Sequence, residues 1–248
     1  MRSAARSLLL PLEGLWAPGP AMDVAGSRRA VPALAGLLVL VTALGAASLP
    51  RLLALLGATL AGDPVTEAHA EALRAGLVRY LLADRLLPPL PFVLAAALVA
   101  MVAGPALAGR RVAGRAVCGV LAVGAAPLVV QRLGELAVVL VTPAAGLVPG
   151  DVAVLAGRFN AGAAGVLSAA GLAPGGALSV VAEAANAIGL WVVALWGWGL
   201  ARLDHDASRA GRRLPAWPFV LALSAYGVAY AACAAIFPSY LMVVMGMP

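Results

Sequence analysis

Long apolar stretches, most of them without charge, alternate along the chain with short segments that collect the arginines. The stretches fall near residues 30–49, 86–109, 116–142, 178–201 and 217–237, and the first, second and fifth carry no charged residue. A helix needs roughly 20 apolar residues, at about 1.5 Å each, to cross about 30 Å of hydrocarbon. The pattern therefore predicts an all-α polytopic membrane protein, a bundle of five transmembrane helices. Pro50 and Arg51 interrupt the first stretch, and residues 52–62 are apolar again. That leaves two readings: a kinked continuation to about residue 60, or a segment lying at the interface.

Asp63-Pro64 reads as a helix start, an N-cap acid followed by proline at the first helical position. Leu73, Leu77 and Leu81 then recur every four residues, while Glu67, Glu71 and Arg74 fall off that stripe. This predicts a short amphipathic helix at the membrane surface, ending by Pro88. In the third stretch Pro127 predicts a kink. Arg132 and Glu135, three residues apart, lie near the far interface, where they can pair or snorkel. Residues 143–177, rich in Gly, Pro and Ala, read as an outer loop, and whether residues 159–176 touch lipid stays open. Residues 1–29 read as a cytoplasmic tail, because Pro11 and Glu13 break the apolar run that a signal peptide needs. Residues 239–248 form an apolar tail too short to cross again.

Composition agrees with this picture. The chain is 63% hydrophobic and 11% charged, against about 25% charged in a soluble domain, so lipid is the natural solvent for its surface. All 17 basic residues are arginine. With the N-terminus in the cytoplasm, the inner segments hold Arg2, Arg6, Arg28, Arg29, Arg110, Arg111, Arg115, Arg202, Arg209, Arg212 and Arg213, leaving six outside. That bias orients the N-terminus inward and, with five spans, the C-terminus outward, in a bacterial or archaeal inner membrane. The arginines sit in short runs between spans without interleaved aromatics, which argues against nucleic acid as a partner. The absence of lysine excludes a phosphate-binding loop of the Gly-rich, Lys-containing type.

In the fourth stretch, Trp191-x-x-x-Leu195-x-x-x-Gly199 follows the apolar Ile188 and precedes an arginine-rich loop and a last span. This resembles the C-terminal half of the Ypt-interacting protein (Yip) family, the "Yip one" domain, in its prokaryotic branch. The resemblance covers roughly residues 30–238 and implies five spans, an inward N-terminus, an outward C-terminus and a packing role for Trp191, Leu195 and Gly199. The Asp-Leu-Tyr-Gly-Pro signature of the eukaryotic members, which bind Rab-type GTPases, is absent, so that activity is not carried over.

Few residues offer chemistry. Arg132, Glu135, Glu183 and Asn186 fall toward the outer ends of the third and fourth spans, and form a candidate polar cluster that would line a solute path or serve as paired structural charges. Asp204-His205-Asp206 has metal-ligating types, but consecutive residues rarely converge on one ion, and the triplet reads as a solvated inner loop. His69 reads as a lone surface histidine. Ser168 lacks a nearby base. Cys118 and Cys233 lie in apolar runs and read as small packing residues. Trp198 and Trp217 flank the inner loop as interfacial anchors do, whereas Trp191 lies deeper, where it packs between helices. Ala225, Ala229 and Cys233 form a small-residue ridge. No catalytic, cofactor or metal site is expected. The expected partners are membrane lipid and a protein partner in the membrane, and the expected role is non-enzymatic, with a small permease or transporter subunit as the alternative.

Overall fold

The computed structural model describes residues 9–25, 29–60, 67–155, 163, 181–182, 184–208 and 214–245. These are helical apart from short connections. Two short helices, α1 (Leu10–Glu13) and α2 (Pro18–Val24), lead into α3 (Ala30–Leu60). There follow α4 (Glu67–Leu86), α5 (Leu90–Ala108), α6 (Gly114–Gly124), α7 (Pro127–Val141), α8 (Pro149–Val154), α9 (Ala187–Ser208) and α10 (Trp217–Met245). Among the described residues five helical stretches are long and apolar enough to cross a membrane: α3, α5, α6 with α7, α9 and α10. The chain is an all-α, multi-pass membrane bundle.

The third span is the hub. Of its most apolar stretch 78% is buried, against 33%, 28% and 22% for the first, second and fifth spans. α6 is flanked by α3, α5, α9 and the N-terminal helices, and α5 pairs with α10. The outer faces of the surrounding spans carry exposed Val39, Met101, Val102, Val220, Leu223 and Val228. Such a belt suits lipid, which needs no polar cover.

Pro127 divides α6 from α7, and the break is tightly packed. The Ala126 N–H bonds the Val123 carbonyl three residues back at 3.0 Å, a tightening that proline, with no N–H of its own, imposes on the turn before it. The Trp196 indole donates to the Leu121 carbonyl at 2.9 Å, and Gly124 leaves room for its ring, since a Cβ there would lie 2.5 Å from Trp196 Cδ1. Trp196 is 1% exposed and Trp191 is 38% exposed. The interhelical packing role expected of Trp191 therefore belongs to Trp196. A helix turns about 100° per residue, so the two tryptophans, five apart, face well away from one another.

Two other elements differ from expectation, residues 9–25 and the last helix, and a third, the first span, resolves an open reading. Residues 9–25, expected within a cytoplasmic tail, are built into the bundle: Leu10, Ala21, Met22 and Ala25 are buried in the main core. Gly14 lies against Val123, and Met22 fills the space beside Gly199 and Val120. Of the two readings open for residues 52–62, the structure takes continuation: α3 runs through Pro50 to Leu60. The last helix passes through Pro238 to Met245, so residues 239–245 extend the fifth span rather than forming a separate tail. Of the fourth span expected at 178–201, residues 178–180 and 183 lie outside the described residues, and its helix is seen from Ala187 to Ser208.

The extra length of α3 has a use. Gly45 stands about 22 Å, and Arg51 about 31 Å, above Ala30 at the usual rise. A hydrocarbon layer of about 30 Å laid from the arginine-rich end reaches the level of Arg51. There Arg51 donates to the Thr142 carbonyl at the end of α7 at 3.0 Å, a cation satisfying an orphan helix-end carbonyl. Beyond that level a second, smaller core gathers Leu52, Leu55 and Leu56 of α3, Leu77 and Leu81 of α4, Val139 of α7, and Val152 and Leu155. The leucine stripe of α4 faces this core. Its Glu71, Arg74 and Arg79 are exposed. The helix expected at the membrane surface is thus one wall of a small cap.

Candidate functional site

Among the described residues, three of the four buried charged side chains, Arg85, Arg132 and Glu135, collect where the cap meets the bundle. Glu135 on α7 is the centre. Its Oε2 accepts from Arg85 Nη1 at 2.7 Å and from Arg132 Nη1 at 2.8 Å, and its Oε1 accepts from Gln131 Nε2 at 2.8 Å. Gln131, Arg132 and Glu135 share one face of α7 because their spacings of three and four match the helical turn. Arg85 arrives from the last turn of α4 and is also bonded to Asp84, with Nε–Oδ2 2.8 Å. The Arg132 Nη2 donates to the carbonyls of Asp84 and Leu87 at 2.9 and 3.1 Å, a cation at the negative end of the α4 dipole. The side chains of Arg85, Arg132 and Glu135 are 3–5% exposed. Two cations and two carboxylates cancel, as a low-dielectric site demands.

The approach that makes this possible is set by glycine. A Cβ at Gly45 would overlap the carbonyl oxygen of Arg85, so only a residue without a side chain lets the end of α4 lie directly on α3. Thr42, one turn earlier, reaches the Leu86 carbonyl at 3.4 Å.

Of the expected cluster, the structure brings Arg132 and Glu135 together. Asn186 has other partners: its Nδ2 donates to the Tyr226 hydroxyl at 3.1 Å, and its Oδ1 accepts the Gly189 N–H at 2.6 Å. It thereby joins the start of α9 to α10. Glu183, His69, Ser168 and Asp206 lie outside the residues whose side chains are described. Sequence reasoning missed Arg85, Asp84 and Gln131. A signal for Arg85 was present: it continues the stripe Leu73, Leu77, Leu81 by one more step of four. A charged residue in register with a buried face calls for a buried partner.

At the arginine-rich end, Asp204 lies on α9 and is 1% exposed, which overturns its reading as part of a solvated loop. Its carboxylate accepts from Arg110 and, at 2.7 Å, from the Trp217 indole, so it clasps the α5–α6 turn to the end of α9 and the start of α10. Arg202 pairs with Asp23 at 3.2 Å and stacks over Trp198, 5.2 Å from the ring centroid. A cavity of about 20 Å³ lies between Met22, Val120, Gly199 and Arg202, room for about one water. Among the described residues no three His, Cys, Asp or Glu side chains gather as a metal site. Cys118 is exposed on the third span and Cys233 is partly buried on the fifth.

Fold and site together define a multi-pass membrane protein whose buried polar residues join helices to one another. No protein-family model, curated protein or solved structure matches the chain.

Proposed function

We propose that the chain is a non-enzymatic protein of a prokaryotic inner membrane that acts by binding a membrane partner or organising the bilayer, in the manner of the Yip-like proteins its fourth span resembles. One observation carries the reading. Among the described residues the charged side chains at membrane depth, Arg85, Arg132 and Glu135, are spent on each other, on Asp84 and on helix-end carbonyls, at 3–5% exposure. A solute path needs such groups to face a wet cavity. The N-terminus inside and the C-terminus outside follow from the arginine bias across five spans. This orientation puts the cap, with its charged outer face, on the far side of the membrane.

The test has two arms. Crosslinking in native membranes, with an affinity tag on the N-terminal segment, should recover a stoichiometric protein partner. Purified protein in sealed liposomes should give no solute flux above empty vesicles. Selective flux that Glu135→Gln abolishes would replace this reading with that of a small permease.

A further inference from the structure

The turn between α5 and α6 contains a residue choice that folding does not explain. The Val112 N–H bonds the Leu107 carbonyl at 3.1 Å and the Arg111 N–H bonds the Ala108 carbonyl at 2.9 Å. This is the paired bonding by which a helix ends through one left-handed residue, a position that favours glycine. That residue is Arg111, with φ +64°. Among the described residues it is the one non-glycine residue with positive φ, in a chain holding 28 glycines. An arginine there costs conformational energy that a glycine would not.

Its side chain returns nothing among the described residues. Arg111 is exposed and forms no ion pair or side-chain hydrogen bond among the described residues. Arg115, four residues on at the start of α6, is likewise exposed and unpaired. Their neighbour Arg110 differs, being engaged by Asp204. Two unneutralised guanidinium groups therefore stand beside a neutralised one. Their level is that of the membrane boundary: the turn is tied through Asp204 to Trp217, where the fifth span begins. Directly below it the end of α5 presents exposed Pro105, Ala106 and Ala108, an apolar surface at the depth of the upper acyl chain.

We infer that Arg111 and Arg115 form a docking surface for an anionic phospholipid, whose phosphate group lies between the two guanidinium groups while its acyl chains run along the end of α5. Guanidinium suits this partner because its fork of donors fits phosphate oxygens. The inference stands apart from the proposed function, since it holds for a scaffold and for a permease alike.

The experiment uses the full chain in nanodiscs of phosphatidylcholine containing a minor fraction of spin-labelled phosphatidylglycerol, and reads selectivity as the ratio of bound to bulk label. Arg111→Gly and Arg115→Gln should each lower selectivity about fivefold, and the double variant further. Arg111→Gly should also unfold at the same or a higher temperature than the parent in pure phosphatidylcholine, because glycine prefers the left-handed backbone. That combination, firmer fold and weaker lipid preference, is not what a merely structural arginine would give. Arg79→Gln, on the exposed face of the cap, should leave selectivity unchanged. Undiminished selectivity in the double variant would overturn the inference. So would abolition of the preference by millimolar inorganic phosphate, which would mark a site for the free ion.

Discussion

The two ends of the bundle solve the same problem, a buried carboxylate, in different ways. At the junction with the cap Glu135 receives donors from Arg85, Arg132 and Gln131, and neither it nor its two arginines reaches solvent. At the arginine-rich end Asp204 is as deeply buried, but its partner Arg110 is 49% exposed. The first arrangement is closed: losing one member strands the others in a low-dielectric interior. The second is open on one side, so Arg110 returns to water if its partner goes. Burial of a carboxylate thus does not set the cost of disturbing it; the fate of the partner does. The closed knot also joins α4 to α7, beside the close approach of α4 to α3 at Gly45, whereas the open clasp gathers helices that already share the main core.

Substitutions can break or sharpen this contrast. Glu135→Ala should be the most damaging, because it leaves Arg132 buried without a carboxylate and two guanidinium groups sharing the single counter-charge of Asp84. A loss of about 3–5 kcal/mol is expected, read as a large fall in the thermal unfolding midpoint in detergent, and a midpoint near the parent's would show that water reaches the knot. Gly45→Leu attacks the same junction by shape alone. It should cost about 1–3 kcal/mol through overpacking and should expose the α4 interface, so that a cysteine replacing Leu77 becomes reactive to a water-soluble maleimide. Asp204→Asn keeps an acceptor for Trp217 while removing the charge, and a smaller loss of about 2 kcal/mol is expected. If it matched Glu135→Ala, the distinction between closed and open sites would fail. Trp196→Phe preserves most of the packing but withdraws the donor from the Leu121 carbonyl, for about 1 kcal/mol. The smallest effect should come from Arg202→Ala: with Arg202 and Asp23 at 34% and 62% exposure, solvent screening keeps the pair's worth below about 1 kcal/mol.

Much of this architecture is legible in the chain because lipid imposes simple rules. A run of about 20 apolar residues has one satisfied conformation in hydrocarbon, the helix, so the spans at 86–109, 116–142 and 217–237 are readable without knowing their neighbours. Pro127 announces its break, and Leu77 and Leu81 announce a buried face. Errors arise where neighbours decide. Residues 9–25 look like a tail because they are short and interrupted by Pro11 and Glu13, yet Gly14, Gly19 and Gly199 leave space in which they pack. Trp191 and Trp196 are equivalent by composition, and only the position of Gly124 on another helix assigns the buried place to Trp196.

The candidate site divides in the same way. Arg132 and Glu135 can be paired from their spacing alone, because three residues along a helix is nearly one turn. Arg85 and Glu135 are 50 residues apart, and nothing local relates them. That the chain is a helical membrane protein, with five stretches apolar enough to cross and its arginines gathered between them, follows from each segment's own affinity for lipid or water. Which charges are buried together does not, because that depends on how closely two helices approach, and here the approach rests on a missing side chain at Gly45.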